Sequence, residues 1–139
     1  MAGDFRVVKS LVGDTYEIKY GTADEALEEG DICNFDTDGE LEKVDDNDTA
    51  TDLVIVLEDA AADATGVPYV WLDPWIEIEG TAKGTVGKVG DWQSIDVTTN
   101  VITVETSTLQ STAQFVIRSI EDATNKTVRL TKLPGLGIS

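Results

Sequence analysis

Asp36-Thr37-Asp38-Gly39-Glu40 sets carboxylates at alternating positions before a glycine, and Asp45, Asp46 and Asp48 follow closely. Calcium is bound by six to eight hard oxygen ligands, so Asp36, Asp38 and Asp45 are the calcium candidates of this chain. An EF-hand also needs a later bidentate acid and two flanking helices. Here the flanks, Ile32–Asp36 and Leu41–Val44, read as strands. The same residues suit a hairpin, because glycine accepts positive φ at little cost. The turn is the expected reading and calcium the alternative; no cofactor is expected.

Other chemistry finds little support. The chain has no histidine, which removes Ser-His-Asp and Cys-His nucleophiles and most zinc sites together. The single cysteine, Cys33, lies between Ile32 and Phe35 with no basic neighbour; it reads as a buried, inert thiol. Gly84, Gly87 and Gly90 are spaced like a phosphate loop, but Asp91-Trp92 opens a strand where a phosphate cradle needs a helix N-terminus. Acid pairs are too common here to mark a glycosidase. Trp71, Trp75 and Trp92 are expected in core packing or a subunit interface, with a sugar platform as the alternative. Asn47-Asp48-Thr49 and Asn125-Lys126-Thr127 read as turns. No catalytic residue emerges, and the chain is expected not to be an enzyme.

What positions these residues is a repeated scaffold. Gly30-Asp31-Ile32 through Asp36, then Leu41 and Val44, is echoed by Gly90-Asp91-Trp92 through Asp96, then Val101 and Val104. Asp63-Ala64-Thr65-Gly66 and Val70-Trp71-Leu72 are echoed by Asp122-Ala123-Thr124-Asn125 and Val128-Arg129-Leu130. Two similar β-units are expected, about 30–72 and 90–130, with Thr81–Gly90 as the hinge. Strands are expected at Ile32–Asp36, Leu41–Val44, Leu53–Leu57, Pro68–Leu72, Trp75–Glu79, Trp92–Asp96, Val101–Glu105, Gln114–Ser119 and Thr127–Lys132. Leu53–Leu57 is apolar throughout and belongs in a sheet centre. Short helical turns fit 22–29, capped by Thr22, and 58–64. The fold class is all-β, a compact barrel or sandwich, with about ten short strands and no long helix.

The first twenty residues lie outside the repeat. Phe5-Arg6-Val7-Val8 reads as extended. So does Thr15–Tyr20, with Tyr16, Ile18 and Tyr20 on one face. Residues 1–20 form an extended N-terminal arm or edge strand, or else a plain first strand of the β-domain that runs over 21–132. Residues 133–139 form a flexible tail.

The chain has 139 residues, 27 acids against 10 Lys plus Arg, and a formal net charge of −17. Such a surface repels phosphate backbones, so no nucleic-acid partner is expected. It also keeps many copies soluble. No apolar run approaches the ~20 residues of a membrane-spanning helix. The N-terminus lacks an apolar signal core, which points to synthesis in the cytoplasm and no membrane association.

The segment Ala26-Leu27-Glu28-Glu29-Gly30-Asp31-Ile32, the Asp38–Val44 hairpin, Leu53–Ala60 and Val70-Trp71-Leu72 resemble the small head-decoration, or capsid cement, proteins of tailed bacteriophages and related viruses. The resemblance spans roughly residues 20–132. It implies a β-barrel or β-tulip domain, a homotrimer on the outer surface of the virion shell, the major capsid protein as partner, and no catalytic residues. It also implies an arm lying on the capsid, which maps by position onto about Gly3–Tyr20. Phe5, Arg6, Val7, Val8 and Lys9 are then the capsid-contact residues, and deleting residues 1–20 is expected to leave the fold intact. The remaining alternative is a non-catalytic binding or adhesion module, one that takes up calcium included.

Overall fold

The computed structural model describes residues 5–13, 15–45, 52–84, 86–98, 101–107 and 113–133. Asp46, Asp48, the 47–49 sequon, the first four residues and the tail from Pro134 lie outside that set. The fold is all-β: two antiparallel sheets packed together as a sandwich, with no helix among the described residues. The strands are β1 (Arg6–Ser10), β2 (Lys19–Gly21), β3 (Ile32–Phe35), β4 (Leu41–Lys43), β5 (Val54–Val56), β6 (Val67–Trp71), β7 (Ile76–Thr81), β8 (Trp92–Thr98), β9 (Val101–Thr106), β10 (Phe115–Asp122) and β11 (Thr127–Lys132). One sheet runs β2-β6-β5-β3-β4 and the other β1-β7-β11-β10-β8-β9.

Without β1, the two orders are the same: β7 takes the place of β2, β11 of β6, β10 of β5, β8 of β3 and β9 of β4. The match extends to single bonds. Gly30 N–H donates to Val56 O at 2.8 Å, and Gly90 N–H to Ile117 O at 2.9 Å. Asp31 Oδ2 accepts from Glu28 N–H, and Asp91 Oδ2 from Lys88 N–H. Each sheet also curls until a residue just past the unit's first strand bridges the strand at the far end of its order: Ala23 to Leu41 in β4, and Ala82 to Val104 in β9. The curl stops short of a closed barrel.

These pairings correct several expectations. The two units span β2–β6 and β7–β11, so the boundary falls at Asp73–Trp75 and Thr81–Gly90 lies inside the second unit. By register, Val70 matches Thr131, because Ile55 faces Val70 as Val116 faces Thr131; the echo of Val70 in Val128 is displaced. Likewise Leu41 matches Val104. Residues 22–29 are not helical: Ala23 and Leu27 form β-bridges instead, and Leu27 takes Ala60 as its partner.

The core divides accordingly. Ile55 in the middle strand of the first sheet points with Ile32 and Val70 into the core shared with Ile78, Phe115, Ile117 and Leu130. Val54 and Val56 point the other way, into a smaller core with Leu27, Leu41 and Tyr69. The apolar run at Leu53–Leu57 is therefore explained: β5 is central and buried on both faces.

Of the readings open for the N-terminal segment, residues 6–10 take the edge strand. β1 pairs with β7, Arg6 opposite Glu79 and Val7 opposite Ile78. Phe5 is 3% exposed and belongs to the shared core. Its ring lies over Gly80, where a Cβ would collide with it. Residues 5–10 are an edge strand of the sandwich, and removing them takes a piece of the core away.

Candidate functional site

Of the expected capsid-contact residues, Phe5 is buried and Val7 packs against the core, whereas Arg6 and Lys9 are exposed. Arg6 binds Glu79 at 3.1 Å and stays on the outer face of β7. Among the described residues, the exposed large apolar side chains other than Val89 are Leu11, Val12, Tyr16, Ile18 and Tyr20, just beyond β1, with Trp75 beside them. Ile18 is 44% exposed and Tyr20 67%. The alternation of Tyr16, Ile18 and Tyr20 was legible in the sequence; what it lacked was any sign that this face stays uncovered.

Two connections meet here. The β1–β2 connection supplies Val12, Tyr16 and Glu17; the β6–β7 connection supplies Asp73 and Trp75. Leu11 N–H donates to Trp75 O at 2.8 Å and ties them together. The ladder between β2 and β6 covers only Lys19–Gly21 against Val67–Tyr69. A groove of about 490 Å³ lies between residues 10–19 and 70–76.

The tryptophans separate. Trp71 and Trp75 both line the groove. Trp71 is half-buried and stacks on Phe35 at 5.7 Å between ring centroids, whereas Trp75 is exposed. Trp92 is half-buried on β8, opposite Val116.

The acidic hairpin follows the turn reading. Asp36 Oδ1 accepts from Asp38 N–H at 2.8 Å and from Glu40 N–H at 2.9 Å, and Gly39 sits at φ 79°. The carboxylates that converge are Asp24, Asp36 and Glu40, whose ligand atoms lie within 4.8 Å of one another. Asp38 and Asp45 are not in that trio. Asp24 comes from residues whose acids looked like a helical first turn; only the Ala23–Leu41 bridge brings it here. Desolvation, then the nearby Asp36, pushes the Asp24 and Glu40 carboxyls above their usual values. Glu42 is raised by the same causes. Burial pushes the Cys33 thiol up, as its apolar setting implied. Asp31 is fully buried with Oδ1 unpartnered, and desolvation raises its carboxyl.

The surface of the second unit is charge-paired instead. Arg129 lies 3.0 Å from Glu121, 3.4 Å from Glu79 and 3.7 Å from Glu77. No protein-family model and no curated protein matches the chain. The site therefore stands on its geometry: an apolar ledge and groove on one flank, an acidic hairpin on another.

Proposed function

We propose that the chain is a non-catalytic structural protein that decorates the outer surface of a viral capsid and stabilises the assembled shell. The major capsid protein and further copies of the chain are its proposed partners. The observation that carries this reading is the apolar ledge, Leu11, Val12, Tyr16, Ile18, Tyr20 and Trp75, on a chain of net charge −17. Clustered exposed apolar side chains mark interaction surfaces, while like charge keeps unassembled copies apart. The resemblance to decoration proteins supports the choice of partner. A protein that binds only the assembled shell stabilises it by mass action, and many symmetry-related contacts add avidity to weak single ones.

The test is sedimentation of purified protein with expanded empty capsids. Saturable binding and greater heat resistance of the shells are expected, both diminished in a Leu11→Ser/Val12→Ser variant. Absence of binding by the full chain rejects the reading.

One observation favours the calcium-binding module as a second reading: Asp24, Asp36 and Glu40 converge, and the Asp24 and Glu40 carboxyls are raised. Against it, Asp36 already spends an oxygen on the turn. A calcium titration that raises the melting temperature by several degrees in wild type but not in Glu40→Gln supports this second reading. No shift rejects it.

A further inference from the structure

The molecule contains its own example of a strand seated on the edge that the first unit leaves open. β7 is the first strand of the second unit, and β1 lies along its outer edge. β2 is the matching strand of the first unit, and among the described residues no strand lies along its outer edge. The register fixes the correspondence: Gly21 faces Val67 as Gly80 faces Val128, and Tyr20 faces Pro68 as Glu79 faces Arg129. Lys19 then matches Ile78. Continuing backward along the chain, Ile18 matches Glu77 and Glu17 matches Ile76. Those four β7 residues, Ile76–Glu79, are the ones that β1 pairs with.

We infer that Glu17–Tyr20 is a strand-acceptor edge, which takes an extended segment of a partner polypeptide in the position that β1 occupies on β7. The inference rests on the shell-binding reading only for the identity of the partner. It also reverses the direction that a free arm implies: the strand comes to this chain.

The side chains define the occupant. On the outer face of β7, residues of opposite charge face one another, Arg6 opposite Glu79 and Lys9 opposite Glu77, and Arg6 forms an ion pair with Glu79. At the matching places the first unit offers Tyr20 on β2 and Ile18 just before it, both exposed. Opposite-charge pairs suit the first arrangement, and aromatic or β-branched partners the second. The occupant is therefore an extended strand with apolar residues facing Ile18 and Tyr20. Main-chain bonds would supply affinity, and these alternate side chains specificity. An open edge with an apolar face is a template for such pairing. The β1 strand of another copy is a poor occupant, because its Phe5 is already in its own core.

Hydrogen exchange on free and capsid-bound protein tests this. Expanded empty capsids are the probe. Amides within Glu17–Tyr20 are expected to gain protection on binding. Ile18→Asp and Tyr20→Asp are expected to weaken binding about tenfold or more, with Tyr20→Phe retaining it and melting temperatures unchanged. If the chain binds capsids but Glu17–Tyr20 gains no protection, the strand-acceptor site is wrong while the shell-binding reading stands. If the chain does not bind at all, the shell-binding reading fails first. Protection that grows with protein concentration in the absence of capsids overturns the choice of occupant in favour of a second copy.

Discussion

In the second unit β7 runs between β11 and β1; in the first, the matching strand β2 has, among the described residues, β6 on one side only. The difference follows from a handful of residues. Gly80 leaves room for the Phe5 ring, which anchors β1. At Gly21 the space is taken by Tyr69 and Leu41. Arg6 and Lys9 stand opposite Glu79 and Glu77 of β7, whereas the matching positions of the first unit are Tyr20 and, just before β2, Ile18. The two units thus share one strand order, and side-chain differences close the edge of one internally and, among the described residues, leave the other open. The cores diverge in the same way: Leu41, Val54 and Tyr69 enclose a core private to the first unit, while Val104, Phe115 and Leu130 at the matching positions face the shared one.

The comparison breaks most readily at Phe5. Phe5→Ala removes a buried ring and is expected to cost about 3–5 kcal/mol, measured by denaturant unfolding. A loss below ~1 kcal/mol would mean β1 is a detachable arm. Next comes the glycine pair. Gly80→Ala drives a methyl into the Phe5 ring and is expected to cost about 1–3 kcal/mol. Gly21→Ala meets Tyr69 Cε2 at 3.3 Å, the end of a side chain that can shift, and is expected to cost less than ~1 kcal/mol. Equal losses would remove the asymmetry.

The matched aspartates give a smaller, pH-dependent contrast. The Asp31 carboxyl is raised by burial, so its protonated form favours the fold. The wild type therefore gains stability as pH falls through that raised value, and its ionised form is penalised at neutral pH. Asp31→Asn is expected to stabilise at neutral pH by about 1 kcal/mol, an advantage that disappears in acid. Asp91→Asn keeps an acceptor for Lys88 N–H on a half-exposed turn, and is expected to change stability by less than ~0.5 kcal/mol. Smallest is Glu40→Gln, which relieves repulsion from Asp36 and Asp24. It should raise the melting temperature slightly at neutral pH and low salt, and less at high salt. The sign would reverse if a cation normally sits there.

Much of this was readable along the chain. Thr127–Lys132 is β11 itself, and the strand expected at Trp75–Glu79 is found as β7, Ile76–Thr81. The Gly-Asp echoes were real, because each aspartate caps the same turn. The rest depends on partners distant in sequence. Phe5-Arg6-Val7-Val8 has the same alternation whether it lies free or pairs with β7, and only Gly80 decides. The unit boundary was misplaced because Thr81–Gly90 is glycine-rich, and composition reports turns rather than topology. The shifted echo at Val70 arose from irregular register between β10 and β11. Asp24 reached the acidic hairpin through one parallel bridge that no local pattern announces.

Hydrogen exchange of the free protein tests the asymmetry most directly. Glu77–Glu79 is paired on both sides and Ile76 with β1, so the amides of Ile76–Glu79 should exchange slowly, near the rate set by global unfolding. The matching residues Glu17–Tyr20 should exchange far faster. Equal protection of the two stretches would contradict the account.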